Sequence, residues 1–287
     1  MSSDSNQMDF LECIDSLPAM PAIAQKILAL PLNTDQGEAE LLRLIAQDPQ
    51  TSAKIIGLSN TALFGAPGSI NSVRDATMRL GMTQVKAIAV SMATLSSLTK
   101  QSEGKLKFAD FWAHSLAIAN TMRILTRHMP PRMRPMEDKI FLAGLLHDIG
   151  YYVLSYIDIS ISNALHEKLN ADTSMPLLDI ENNLLGTHHG EIGAQLGKHW
   201  GLPEEIIAVM RYHHMPENEQ AQIGQPLVSL VNIAEKLLPD FGITEHTAHE
   251  VTEQEWASIH IDINKVNTIV EEIEQVAEKT RQLADAA

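Results

Sequence analysis

The chain contains almost no cysteine: Cys13 is the only one among 287 residues. A single thiol cannot close an internal disulfide, so nothing in the sequence depends on an oxidising compartment. It also excludes the multi-cysteine clusters of structural zinc sites. Any metal site must therefore use imidazole and carboxylate donors, and 12 histidines and 36 acidic residues provide them.

Positive charge is also scarce, because 21 basic residues face 36 acidic ones and the formal net charge is −15. The averaged surface field repels nucleic-acid backbones and anionic lipid headgroups. A nucleic-acid binder would need a local basic patch. We therefore expect neither a nucleic acid nor a membrane as the partner of this protein.

Long apolar runs are missing as well. The longest uncharged stretch, residues 87–99, contains Ser and Thr and is shorter than the ~20 apolar residues that cross a bilayer. The N-terminal Met-Ser-Ser-Asp-Ser-Asn-Gln has neither the basic start nor the apolar stretch of a secretory signal. We expect a cytoplasmic protein whose residues 1–9 are a short disordered lead.

Apolar residues recur at helical spacing almost throughout, and alternating β-branched runs are nearly absent, so the pattern predicts an all-α fold. The polar stretch 100–105 is the best linker candidate. It divides the chain into an N-terminal helical subdomain (10–104) and a second helical domain (105–287) that ends in an amphipathic helix. Helical patterns in the second domain cover 111–125, 139–156, 179–185, 190–200, 204–212, 227–238 and 266–283.

The most unusual feature is a polar pair, His147-Asp148, that directly follows the apolar run 141–146. Each of these side chains costs free energy when it is buried without a partner. Taken alone, the pair is also explained as a hydrogen-bonded core pair without metal. Further candidate donors lie on successive helical segments of the same domain: His114 with Asp110 one turn before it, His189, His213, His214 and Glu235.

If these helices converge, they build a histidine-carboxylate site in a helical core, as in bundle metalloproteins. The donors outnumber the four ligands of a closed zinc site and suit one or two ions of iron, manganese or zinc. Two such ions can activate water and hold a phosphoryl oxygen. The alternative is a satisfied polar core that holds no metal.

A different hypothesis concerns residues 73–90. Their helix, glycine turn and helix have the rhythm of a DNA-binding helix-turn-helix. The segment carries only three cations, Arg74, Arg79 and Lys86. Because the whole chain is strongly acidic, we regard DNA binding as the weakest of the alternatives.

Several motifs, taken in order, resemble a known family. The segment 143–150, Ala-Gly-Leu-Leu-His-Asp-Ile-Gly, is similar to the signature of the HD superfamily of metal-dependent phosphohydrolases. The wider series resembles the HDOD family, the HD-related output domain of bacterial signalling proteins, over about residues 10–240. That series is Leu-Pro-Ala-Met-Pro (17–21), Asp-Pro (48–49), Ser-Asn-Thr-Ala-Leu-Phe (59–64), Leu-Gly-Met (80–82), Phe-Trp-Ala-His-Ser (111–115), His-Gly-Glu-Ile-Gly-Ala (189–194), Trp-Gly-Leu-Pro (200–203) and His-His-Met-Pro (213–216).

The resemblance implies an N-terminal helical subdomain packed on an HD-type helical domain. The superfamily's metal-ligand positions match His114, His147, Asp148, His189, His213 and His214, with Glu235 where an Asp is usual. Asp110 matches an extra carboxylate of the related HD-GYP phosphodiesterases. Two departures put cyclic dinucleotide hydrolysis in doubt. Tyr151 replaces the Lys that typically follows the His-Asp-Ile-Gly motif, and no Gly-Tyr-Pro follows the paired histidines.

The HDOD family is regarded as largely regulatory. The resemblance therefore favours a bacterial signal-transduction protein that acts mainly through contacts with a signalling partner and retains a metal pocket. A small phosphorylated ligand is a further candidate for binding. The alternative is an active metal-dependent phosphohydrolase on a small phosphoester or nucleotide, with His147 and Asp148 at its catalytic centre.

Overall fold

The computed structural model describes residues 16–65, 68, 70–98, 104–171, 175–239, 241 and 250–285. In these residues the regular elements are fifteen α-helices and a few short 3-10 helices, with no strand. The predicted all-α fold is confirmed. The predicted lead, Cys13 and most of the predicted linker lie outside the described residues.

Five helices form the first part of the chain. Asp48 separates two of them because its side chain accepts a hydrogen bond from the Gln50 backbone N–H (3.0 Å) and Pro49 occupies the first helical position. Gly81 separates another two at φ 93°, a conformation that favours glycine. The five are α1 (Ala22–Leu28), α2 (Asp35–Ala46), α3 (Pro49–Ser59), α4 (Val73–Leu80) and α5 (Met82–Leu98).

Ten helices follow. They are α6 (Phe108–His128), α7 (Glu137–Leu146), α8 (Ile149–Ile157), α9 (Ile159–Ala171), α10 (Leu177–Leu185), α11 (His189–His199), α12 (Glu204–Tyr212), α13 (Leu227–Leu237), α14 (Glu253–Ser258) and α15 (Val266–Asp285). The single helix predicted over 139–156 is wrong, because the chain turns at His147-Asp148 between α7 and α8. Both helices are buried, so apolar residues continue across the turn and the pattern does not mark it.

The core is one continuous cluster of buried apolar side chains drawn from both parts of the chain. Ile88 of α5, Leu116 of α6 and Leu145 of α7 are fully buried in it. α6 packs against α7, α13 and α15, and α5 packs against α7 and α8. The division into two domains near residue 104 stays a prediction.

Residues 137–157 are the one stretch of the described chain with the length and apolar character of a membrane span. In the structure this stretch is α7, the turn and α8, and 83% of its most apolar window is buried inside the protein. Its low polarity is therefore explained by packing in the core.

The helix-turn-helix pattern of residues 73–90 corresponds to α4, Gly81 and the first part of α5. Most of α5 is buried, which leaves its second helix no face for a DNA groove. Two of its cations also bond to the protein's own backbone: Lys86 Nζ donates to the Leu30 carbonyl (2.9 Å) and Arg79 Nη1 to the Ser59 carbonyl (3.2 Å). These contacts argue against DNA binding through this segment.

The amphipathic helix predicted near the C-terminus is present as α15. It lies along α6 with Ile269 and Ile273 buried. Glu272 accepts hydrogen bonds from Arg127 (3.0 Å) and pairs with His128 (3.1 Å) at the end of α6. The helix thus packs on its own chain rather than standing free.

Candidate metal centre

The predicted donors come from five places in the fold that meet in the core. His114 lies in the middle of α6 and His147-Asp148 in the turn between α7 and α8. His189 is the first residue of α11, and Glu235 lies in the last part of α13. His213 and His214 directly follow α12.

Two glycines allow the helices that carry these donors to approach closely. A Cβ added to Gly144 of α7 would lie 2.6 Å from the Cα of Ala119 on α6. A Cβ added to Gly150 of α8 would lie 1.9 Å from the carbonyl oxygen of His189. Any larger residue would separate the helices, so the glycines bring the His-Asp turn against α6 on one side and α11 on the other.

Asp148 lies at the centre of the cluster and is fully buried. Its Oδ2 is 3.3 Å from His114 Nε2 and 3.1 Å from His147 Nε2. Its Oδ1 is 3.4 Å from His189 Nε2 and 3.3 Å from His213 Nε2. Four imidazoles therefore point the same nitrogen at one carboxylate.

Glu235 adds a second buried carboxylate beside the first. Its Oε1 lies 3.4 Å from His147 Nε2 and 3.9 Å from His213 Nε2. Its Oε2 lies 3.5 Å from His214 Nδ1. The structure thus places Glu235 with the other predicted donors and not on the surface.

The other ring nitrogens of these histidines are held by the protein. His147 Nδ1 is 2.9 Å from the Gly144 carbonyl oxygen, and His213 Nδ1 is 2.9 Å from the Val209 carbonyl oxygen. A carbonyl only accepts hydrogen bonds, so both Nδ1 atoms carry a proton. In the neutral imidazole this leaves the Nε2 lone pair directed at the cluster, which is the form that binds a metal ion.

Glu181 of α10 orients His189 in the same way, and the sequence analysis did not identify it. Its carboxylate lies 2.8 Å from His189 Nδ1 and accepts the His189 backbone N–H at 3.0 Å. Glu181 is fully buried and sits one turn from the buried Leu177 and Leu185. An acidic residue within the apolar stripe of a short helix was the signal that could have revealed it.

The two central carboxylates have opposite electrostatic environments. Burial raises the pKa of Asp148, but the neighbouring His147 charge and hydrogen bonds from the histidines outweigh burial and hold that pKa well below its usual value. Burial and the nearby Asp148 charge raise the pKa of Glu235 well above its usual value. Of the two carboxylates, Asp148 therefore favours its charged form and Glu235 its neutral form.

The histidines differ in the same way. Burial lowers the pKa of His213, and burial with the nearby His213 and His189 charges lowers that of His214 well below its usual value. Burial also lowers the pKa of His189, but the Glu181 carboxylate more than offsets this and leaves the net pKa raised. His213 and His214 therefore favour the neutral form, in which an imidazole lone pair is available to a metal ion, whereas His189 favours the protonated form.

Close nitrogen contacts inside the cluster need a proton or a metal ion between the two rings. His114 Nε2 lies 3.2 Å from His147 Nε2, and His189 Nε2 lies 3.0 Å from His213 Nε2. Two lone pairs at this distance repel unless a proton or a metal ion lies between them. Donor atoms of two overlapping groups lie within 4.8 Å of one another: His114, His147 and Asp148, and Asp148, His189, His213 and His214. This set of donors could hold a metal ion.

Glu235 and Asp110 are the predicted donors that stand outside both groups, and the neighbouring His188 and Tyr151 also contribute no atom to them. Asp110, one turn before His114, is half-buried and is absent from both groups. His188 accepts a hydrogen bond from the Glu191 backbone N–H (3.3 Å) and caps α11. Tyr151, which replaces the Lys typical of HD-GYP enzymes, stacks on the His189 ring with 4.3 Å between ring centroids. Its side chain therefore packs against a donor.

An all-helical fold whose core holds a His-Asp turn, surrounded by histidines from neighbouring helices, defines the HD-type class of helical proteins. The model of the HDOD domain matches residues 17–216. The chain belongs to the HDOD family.

The chain is also similar to one curated relative and to solved structures. A structure of an HDOD domain protein with unknown function from Geobacter sulfurreducens is 25% identical, with 97% of each chain covered and a TM-score of 0.75. A protein of Marinobacter aquaeolei VT8, provisionally assigned to signal transduction, is 25% identical with a TM-score of 0.79, and the match covers 97% of this chain and 61% of that one. An uncharacterized protein of Treponema pallidum (strain Nichols) is 25% identical over 227 residues, which is 77% of this chain and 42% of the relative. The chain thus spans less than two thirds of the length of the last two, 61% of one and 42% of the other.

Proposed function

We propose that this protein is a regulatory HDOD protein that holds metal in its core and acts through contacts with a signalling partner. The observation that carries this proposal is the burial of the donors. The side chains of His147, Asp148 and His189 have no exposed surface. Metal sites enclosed by their ligands are of the structural type, whereas catalytic sites keep an open position for water or substrate.

The residues around the cluster support a regulatory function too. Tyr151 is buried against His189 at the position where related HD-GYP enzymes carry a Lys. A stacked phenol supplies no positive charge for a substrate phosphate. The signalling role is supported further by the Marinobacter protein assigned to signal transduction.

The metal would be held by the histidines around Asp148, with Glu235 beside them. Imidazole and carboxylate donors suit iron, manganese or zinc, and the two donor groups that share Asp148 favour a pair of ions over one. When bound, a cation supplies positive charge and Lewis acidity at the cluster. The protein's own contribution is orientation: Gly144, Val209 and Glu181 fix three of the rings.

Elemental analysis of the purified full chain, before and after reconstitution with iron, manganese or zinc, tests the proposal. We expect at least one stoichiometric metal ion per chain and a higher melting temperature in the loaded protein, because a ligand that binds only the folded state stabilises it. Background metal content under all conditions, with no shift in melting temperature, would show that the cluster does not bind metal.

The second candidate function is a metal-dependent phosphohydrolase. Asp148 belongs to both donor groups, which would let two metal ions share its carboxylate. This arrangement favours a phosphohydrolase because enzymes that cleave phosphoesters often use two metal ions. A panel of phosphomonoesters, phosphodiesters and nucleotides separates the two functions in the metal-loaded protein. The regulatory proposal predicts equal background rates for wild type and Asp148→Asn, and hydrolysis that is lost in Asp148→Asn would establish the enzyme instead.

A further inference from the structure

A second concave site is lined by residues other than the donors of the candidate metal centre. It is a pocket of about 360 Å³ between α3, α5, the start of α6 and the end of α15. Volumes of this size accommodate small organic ligands. Leu58, Ile88, Met92 and Leu283 form apolar walls.

One wall of the pocket is aromatic. The rings of Phe108 and Trp112 stack with 6.3 Å between centroids and an interplanar angle of 10°. Phe108 is supported from behind by Tyr152 of α8, edge to face at 6.0 Å. A planar apolar group fits against such a surface by stacking.

Gly57 leaves the backbone of α3 open at this pocket. It lies in the interior of the helix, where glycine is a poor residue compared with alanine. A Cβ added there would meet no protein atom within 4 Å, so the chain's own packing does not require glycine. A bare helix backbone facing a pocket is what the close approach of a ligand requires.

Lys54, one turn before Gly57, places a positive charge at the rim. Its Nζ lies 5.0 Å from the centre of the Phe108 ring and 4.0 Å from Met92 Sδ. In the part of the chain that the structure describes, no carboxylate lies within 4.0 Å of this ammonium group. The strongly acidic chain thus presents a cation here against apolar and aromatic neighbours.

We propose that this pocket binds a small amphipathic anion, with a planar apolar body against Trp112 and Phe108 and one carboxylate, sulfonate or phosphate group on Lys54. The walls provide the apolar contacts, Gly57 provides the room, and the lysine provides the charge. The site shares no residue with the donors of the candidate metal centre. Its lining residues are therefore different from those that would bind metal.

Titration of the full chain with anilinonaphthalenesulfonate, followed by its fluorescence, tests the proposal. We expect saturable binding at one site, and displacement by naphthoate at lower concentration than by the uncharged naphthalenemethanol. Gly57→Leu fills the pocket, and we expect binding to weaken by more than about tenfold as apolar contact area is lost. Lys54→Gln removes the charge, and we expect about threefold to fivefold weaker binding with no remaining preference for naphthoate over the alcohol.

Two exposed positions on other helices give matched controls. Ala39→Leu on α2 makes a similar change in helix residue size, and Lys168→Gln on α9 removes a charge far from the pocket. Both should bind the dye as the wild type does. Binding that does not saturate, or that is unchanged in both Gly57→Leu and Lys54→Gln, would overturn the proposal. Lys54→Gln keeps the test decisive even if Gly57→Leu fails to fold, because Lys54 is exposed.

Discussion

The candidate metal centre and the apolar pocket both use α6, yet they are built in opposite ways. Around Asp148 the helices touch, and the space that a side chain on Gly150 would need is already filled by the His189 carbonyl. At the apolar pocket, a Cβ added to Gly57 would meet no protein atom within 4 Å. Glycine thus allows tight packing in one region and leaves room for a ligand in the other. Only the three-dimensional surroundings distinguish the two cases.

The largest effect is expected from Asp148→Asn. The change keeps the shape of the side chain and removes the negative charge that four imidazoles face. We expect metal content to fall from stoichiometric to background in elemental analysis. Asp110→Asn on α6 is the matched control, since Asp110 lies outside both donor groups, and it should keep its metal. Equal metal loss in both variants would show that metal binding does not depend specifically on the donors around Asp148.

Gly150→Ala should be next in size. Its Cβ would lie 1.9 Å from the His189 carbonyl oxygen, so α8 and α11 must move apart. We expect the free energy of unfolding to fall by about 3 kcal/mol, the upper range for overpacking. Urea denaturation of wild type and variant measures it. A loss below about 0.5 kcal/mol, within the range of ordinary surface substitutions, would contradict the close packing.

Glu181→Gln tests whether metal affinity depends on the carboxylate that orients the His189 ring. Glu181 holds the Nδ1 and the backbone N–H of His189 without being a donor itself. We expect metal affinity to weaken about tenfold, the lower range for loss of such a supporting group, while the fold is retained. Glu191→Gln on α11 is the control, because Glu191 pairs with Arg211 instead. Competition with a coloured chelator measures both affinities.

The smallest effect is expected at the apolar pocket. Gly57→Ala adds a methyl group into open space and replaces a poor helix residue. We expect the free energy of unfolding to rise by about 0.5–1 kcal/mol. Thermal and urea denaturation beside Gly150→Ala compare the two glycines directly. A destabilised Gly57→Ala variant would mean that the pocket is filled by the protein itself.

Much of this architecture could be predicted from the amino-acid sequence. Asp48-Pro49 and Gly81 mark helix ends because their effects are local. The donors around Asp148 were identifiable because polar residues are rare in apolar helices and each therefore stands out. The series of motifs resembles the HDOD family, and this resemblance implied that the donors belong to one site. In the structure they lie together in the core.

Other features depend on how neighbouring helices meet, which the hydrophobic pattern of each helix does not determine. Apolar residues lie on both sides of the turn between α7 and α8 because both helices are buried. The hydrophobic pattern therefore does not show that one helix ends and another begins there. Glu181 lies only eight residues before His189 but on a different helix, so its function depends on how α10 and α11 meet. Asp110 shares a face with His114 along α6 but lies outside the donor groups, because helical spacing does not determine how far a side chain reaches into the core.

The central claim is that the histidines around Asp148 hold metal. A crystal structure of the reconstituted protein, with diffraction data collected on both sides of the absorption edges of iron, manganese and zinc, tests it most directly. The account predicts an anomalous peak beside Asp148, within about 2.0–2.3 Å of histidine Nε2 atoms. No anomalous peak in the cluster, with the Nε2 atoms still in direct contact with one another, would contradict it.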